Sequence, residues 1–150
     1  MTDTDLDRRL ADYARFFEAL TPEGLGELDA YFTPDARFRD PFNDVRGVPD
    51  IRGVFEHMYR VCPEPRFRVL ERARTGNIAL IRWRFTDGAA AGRRMALNIE
   101  GVSRVQFDAR GRVVEHVDYW DAAAQVYERI PVLGGILRLL RRRLSASGRA

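Results

Sequence analysis

Near residue 66 the apolar pattern of this chain changes period. Upstream, large apolar residues recur every three or four positions; downstream, they fall at every second one. The first spacing builds helices with one buried face, the second half-buried strands. Leu6, Leu10, Tyr13, Phe16, Phe17 and Leu20 predict a helix over 5–20. Leu25, Leu28, Tyr31 and Phe32 predict a second over 22–32, opened by Thr21-Pro22-Glu23 and broken by Thr33-Pro34-Asp35. Ile51, Val54, Phe55 and Met58 predict a third over 49–61, stopped by Pro63 and Pro65. Between the last two, residues 36–42 alternate as a short strand, with Asp40 on the side of Phe38 and Phe42. After residue 66, strands are expected over 67–74, 77–86, 93–108 and 111–120. Their connections are too short for parallel crossovers, which need about a dozen residues. The expected fold is therefore α+β: a bent antiparallel sheet packed around three N-terminal helices.

Composition narrows the function. Of 150 residues, 45% are hydrophobic and 31% charged, the balance of one globular domain rather than a disordered chain. Every basic residue is arginine. Residues 130–150 hold five of them (Arg138, Arg141, Arg142, Arg143, Arg149) and no acid, so the net +3 leaves −2 on residues 1–129. The basic surplus belongs to the tail, not to a nucleic-acid-binding face, and no nucleic-acid partner is expected. The tail has its own pattern: Val132, Leu133, Ile136, Leu137, Leu139, Leu140 and Leu144 make an apolar stripe beside the arginines. The division is thus a domain over 1–129 and an amphipathic C-terminal helix and tail over 130–150. That helix can pack on its own domain or on a second subunit, or lie on an anionic membrane surface. No apolar run approaches the roughly 18 residues that span a bilayer, and the N-terminus is acidic where a signal peptide is basic; the expectation is a cytoplasmic protein. Cys62 is the single cysteine, and two separated histidines lack a third clustered ligand, so no metal is expected. No glycine-rich loop follows a strand, so no nucleotide cofactor is expected either.

Two segments carry a family resemblance. YFTPDARFRDPF (31–42) and GRVVEHVDYWD (111–121) resemble the nuclear transport factor 2-like superfamily, in particular its SnoaL-like members and the ketosteroid isomerases. The resemblance covers about residues 10–129. It implies a cone: a strongly bent sheet wrapped around helices, with a pocket at the open end. It also implies that Asp40, in its Asp-Pro pair, stands where the isomerases keep their general base. The tyrosine of the isomerase oxyanion hole falls at Phe16, with Tyr13 one turn earlier as a substitute donor, and the neutral acid of that hole falls at Ser103. The DYWD end is also similar to limonene epoxide hydrolases, where Asp118 would match one of two acids around a water; the strand expected to supply an Arg-x-Asp pair reads Arg82-Trp83-Arg84.

From these residues the candidate site follows. Asp40, among phenylalanines, is a pocket acid or the cap of the turn before Pro41. His116, Asp118 and Trp120 share one face of the last strand, because residues two apart point the same way. They form either a cavity-facing set, in which Asp118 fixes the His116 tautomer, or a solvated one. Tyr13 is the candidate hydrogen-bond donor. Phe17, Phe38, Met58, Trp83, Ser103 and Trp120 are the expected pocket walls. The predicted activity is cofactor-free acid–base chemistry on a small, largely apolar molecule, of isomerase or epoxide-hydrolase type. The alternative is a non-catalytic binding or assembly module. Val113, Val117 and Tyr119, opposite the pocket face, are expected as an apolar patch that pairs two copies into a homodimer.

Overall fold

The computed structural model describes residues 2–62, 64–88, 97–125 and 139–140. It contains two compact units, Met1–Trp120 and Asp121–Ala150. In the first, helix α1 (Asp3–Glu18) starts ahead of its apolar pattern because Thr2 and Asp5 make a capping box. Asp5 N–H donates to Thr2 Oγ1 at 3.2 Å and Thr2 N–H to Asp5 Oδ2 at 3.0 Å. The second expected helix is instead a 3₁₀ turn (Glu23–Glu27) and a single α turn, α2 (Leu28–Tyr31). Gly24 and Gly26 weaken a regular helix here by about 1 kcal/mol each.

The chain enters strand β1 (Phe32–Arg39) directly, through the Thr33-Pro34-Asp35 stretch expected as a break. Pairing with the last strand holds at Phe32 and resumes at Arg37, so Pro34, which has no N–H to give, sits in the skip. Residues 40–43 turn the chain back into β2 (Asp44–Arg46), three residues too few to show as alternation in the sequence. Gly47 then takes φ 89°, a left-handed conformation that favours glycine, and leads into α3 (Val48–Val61).

Strands β3 (Pro65–Thr75), β4 (Ile78–Asp87), β5 (Asn98–Phe107) and β6 (Val113–Tyr119) form the expected meander. The six strands are ordered β2-β1-β6-β5-β4-β3. The sheet is mixed rather than antiparallel throughout, because β1 and β6 run parallel. Short connections constrain only the meander; between β1 and β6 lie α3 and four strands, ample chain for a crossover. Register skips between Val69 and Glu71 and between Gln106 and Phe107 add local bend and twist to the curved sheet.

Alternation sets the two faces. Ile81, Trp83 and Phe85 on β4 and Ser103, Val105 and Phe107 on β5 are buried, while Arg82, Arg84 and Arg104 point the other way. Helix α1 lies against β3, and α3 against β1 and β2. The skip in β5–β6 pairing turns Val113 inward, leaving it fully buried. Val117 is also buried, flanked in register by Arg39 and Arg104, whose long stems can cover it. Of the expected outer apolar patch, Tyr119 is the exposed member.

In the second unit, α4 (Ala122–Gln125) is one turn closed by Gln125 N–H on Asp121 O at 3.0 Å. The amphipathic helix expected over 132–144 lies outside the described residues, apart from Leu139 and Leu140. Among the described residues, no helix is long and apolar enough to cross a membrane.

Arg74 fastens α1 to the β3–β4 hairpin. Its guanidinium donates to Asp7 Oδ1 at 2.8 Å, to Asp3 Oδ1 at 3.1 Å and to Gly76 O at 2.6 Å. The Arg74 hydrogen bond holds the Asp7 carboxyl below its ordinary value. A carboxyl depressed in the folded state stabilises above its unfolded pKa, and that stabilisation is lost as pH falls through the folded one. Arg74→Ala is therefore expected to lower the Tm near neutral pH, with the gap to wild type closing as pH drops below 3.8. Thermal melts across that range check it; a gap independent of pH would show that the pair contributes nothing.

Candidate active site

Three inward side chains on adjacent strands meet under α1. Ser103 on β5 lies directly opposite Asp118 on β6, and Trp83 on β4 is the diagonal neighbour of Ser103, opposite Gly101. The indole Nε1–H of Trp83 donates to Ser103 Oγ at 2.8 Å. Ser103 Oγ–H donates to Asp118 Oδ1 at 2.5 Å. The same carboxylate oxygen is 2.8 Å from His116 Nε2, and the other ring nitrogen, Nδ1, is 2.7 Å from Tyr13 Oη on α1. Phe38 of β1 stacks on the imidazole at 5.0 Å between centroids and 25° between planes. One hydrogen-bonded chain thus crosses four elements, from Trp83 through Ser103, Asp118 and His116 to Tyr13.

Its proton positions follow from donor and acceptor chemistry. A carboxylate only accepts, so the neutral imidazole donates from Nε2 and must accept at Nδ1. The Tyr13 hydroxyl supplies that proton. Burial, reinforced by the negative charge of Asp118, pushes the Tyr13 phenol well above its ordinary pKa, so Tyr13 stays a protonated donor. Asp118 Oδ1 receives two hydrogen bonds, while Oδ2 receives none from the described residues.

Asp118, His116, Ser103, Trp83 and Tyr13 all line one cavity. Its other described walls are apolar: Phe17 and Ala14 from α1, Phe55 from α3, Phe38, and Phe67, Val69 and Ile81 from the sheet. The space totals about 420 Å³ counting its open mouth, of which about 40 Å³ is wide enough for the centre of a water-sized sphere. That interior holds a few waters at most, since each needs about 10–15 Å³ on this measure.

The sequence expectation is met unevenly. His116, Asp118, Tyr13, Phe17, Phe38, Trp83 and Ser103 come together in this cavity. Asp40 does not join them. It caps the turn between β1 and β2: its Oδ1 accepts the N–H groups of Phe42 and Asn43, both at 2.7 Å, and its Oδ2 accepts from Asn43 Nδ2 at 2.9 Å. The Asp-Pro pair ends the strand, and a short acid there finds backbone amides within reach. Trp120 packs edge-on against Phe42 at 5.4 Å rather than lining the cavity, and Met58 is not among the lining residues. Ser103 is less a contact for a bound molecule than a link between Trp83 and Asp118. Phe55, Phe67 and Gly101 escaped the sequence reading. The first two carried only an ordinary core signal, and Gly101 shows its role only through register. A Cβ at Gly101 would lie 2.5 Å from Trp83 Cζ2 and 3.0 Å from Trp120 Cβ.

Comparison with known proteins adds the family context. The sequence matches the SnoaL-like domain over residues 13–116. Among solved structures, a candidate isomerase of the SnoaL-like family from Agrobacterium tumefaciens is 19% identical, covers 79% of this chain and 98% of its own, and superposes with a TM-score of 0.63. A candidate SnoaL-like polyketide cyclase from Shewanella putrefaciens is 20% identical over 79% of this chain and 85% of its own, with a TM-score of 0.62. TerC, crystallised with polyporic acid, is 15% identical over 79% of this chain and 93% of its own, with a TM-score of 0.64. No curated protein matches the sequence. At these identities the shared property is the fold.

Two glycines test the packing around the site. Gly101→Ala must push the Trp83 indole off Ser103, an overpacking expected to cost about 1–3 kcal/mol. It should lower the Tm and change the tryptophan emission. Gly53, inside α3, has nothing within 4 Å of its would-be Cβ. Gly53→Ala should instead stabilise by about 0.5–1 kcal/mol through helix propensity. Equal effects of the two substitutions on Tm would contradict this account.

Proposed function

We propose that this chain, which belongs to the SnoaL-like family, binds a small, largely apolar molecule in the cavity beneath α1 and moves a proton on it without a cofactor. The observation that carries the reading is the asymmetry of Asp118. One carboxylate oxygen is fixed by Ser103 and His116, and the other is uncommitted within an aromatic enclosure. In the proposed step, Asp118 Oδ2 takes a proton from a carbon next to a carbonyl. The bonding pair left behind delocalises onto the carbonyl oxygen, and the carboxyl returns the proton to another atom of the same molecule. The result is an isomer, or an enolate poised to attack a second carbonyl.

His116 and Ser103 act on Asp118 rather than on the substrate. They aim the carboxylate and share its charge, and Tyr13 keeps the imidazole in the tautomer that donates to Asp118. Asp40, bound up in its turn, takes no part. The neighbours described as a candidate isomerase and a candidate polyketide cyclase are compatible with such chemistry. A general base contributes about 10²–10⁴-fold to such a step.

The test is deuterium exchange at the acidic carbons of small enolisable ketones, followed by NMR in D₂O. Asp118→Asn is expected to reduce the protein-dependent rate by about 10²-fold or more, while Asp40→Asn leaves it within about twofold, since Asp40 lies outside the cavity. Loss with Asp40→Asn and retention with Asp118→Asn would refute the assignment. Absence of exchange with every ketone, alongside saturable binding, would favour a binding module with the same cavity.

A further inference from the structure

The polar groups of the cavity are unequal in what they have left to offer. Each lining side-chain donor is already committed. Trp83 N–H goes to Ser103, Ser103 O–H to Asp118, His116 N–H to Asp118, and Tyr13 O–H to His116. A neutral imidazole has one N–H and a hydroxyl one O–H, so among the described residues no side-chain donor lining the cavity can turn to a ligand without giving up a buried partner. What remains is acceptor capacity: Asp118 Oδ2 and the spare lone pairs of Tyr13 Oη and Ser103 Oγ. The rest of the described lining is aromatic and aliphatic, and it includes no arginine.

From this imbalance we propose that the cavity selects hydrogen-bond donors. It takes a neutral or cationic molecule with an O–H or N–H head on a slender apolar body, such as a phenol, an enol or a small amine, and rejects carboxylates and phosphates. The proposal rests on the cavity being the ligand site, as in the proposed function, but not on catalysis. An anion brought beside Asp118 meets a like charge in a poorly solvated space and finds no donor. A carbonyl or ether oxygen finds no donor either, and loses the water that bound it. A hydroxyl or ammonium head meets the carboxylate directly, and an ammonium also gains from the aromatic faces around it. The narrow interior admits that head and a single ring behind it rather than a fused-ring body.

The experiment is an NMR titration of labelled protein, following the indole N–H of Trp83, with five one-ring probes: phenol, benzylamine, anisole, acetophenone and benzoate. Phenol and benzylamine should bind at least about tenfold tighter than anisole and acetophenone, the ratio that one hydrogen bond to a charged group supports, and benzoate should not bind. In Asp118→Asn, the amide oxygen can take over from Oδ1 the bonds to Ser103 and His116, and the amide NH₂ replaces Oδ2 as a new donor. The order should then invert, with acetophenone ahead of phenol. Equal affinities across the panel, a preference for benzoate, or no saturable shift with phenol or benzylamine would overturn the proposal. If Asp118→Asn does not fold, the wild-type ratios alone decide. Donor selectivity without any proton exchange would overturn the catalytic reading and leave this one standing; exchange activity with acceptor-selective binding would do the reverse.

Discussion

Tyr13 and His116 meet at 2.7 Å in the interior, one from the first helix and the other from the last strand of the sheet. Tyr13 is 1% exposed and His116 5%, so neither polar atom can turn to water instead. Leaving either one unsatisfied costs about 1–3 kcal/mol. The contact therefore fixes both the depth and the rotation of α1 against the sheet, and the other aromatic contacts of α1 follow from it. Phe17, one turn along from Tyr13, reaches the imidazole, Phe55 and Phe67. Phe16, on the neighbouring face, stacks on Tyr31 at 4.3 Å. A helix rolled by one residue would lose all of these together.

The same constraint explains why one acid is tolerated inside. Three of the five strands that build the described wall contribute to holding Asp118: β4 through Trp83, β5 through Ser103 and β6 through His116. Most of the remaining charge of the sheet is kept on the opposite face. There Arg37 bridges Asp44 and Glu115, Arg104 joins Glu115, and Arg82 bridges Glu71 and Glu100, with Arg84 on Glu100 as well. Single exposed pairs of this kind contribute little. Their arrangement shows what an all-arginine composition achieves, because a guanidinium fork can serve two carboxylates at once where an ammonium would be a point charge. The outcome is a sheet with a salt-bridged outer face and an aromatic inner one, whose interior carboxylate is held by hydrogen bonds with Ser103 and His116.

Much of this was legible beforehand for a simple reason: it depended on periodicity. The change of period near residue 66 marked the meander, the alternation of Trp83 and Phe85 with Arg82 and Arg84 assigned the faces of β4, and the two-residue spacing of His116 and Asp118 put them side by side. Asp40 shows the limit of that reasoning. Its alternation with Phe38 and Phe42 was real, but Pro41 ends the strand there, so the side chain answers to the turn's amides instead of to the cavity. Val113 failed likewise, because a register skip at the start of β6 reversed the face it takes.

The amino-acid sequence by itself determined α1, α3, the meander and the placing of His116 and Asp118 on one strand face, since each depends on neighbours a few residues apart. Tertiary structure alone decided that β1 would run parallel to β6, that Ser103 would stand opposite Asp118, that Gly101 would leave room for the Trp83 indole, and that Tyr13 would cap His116 from 103 residues away. Those relations are set by strand register and helix placement. Both are collective results of packing, and no local pattern records them, because a shift of one residue changes every partner at once while leaving each segment's own propensities untouched.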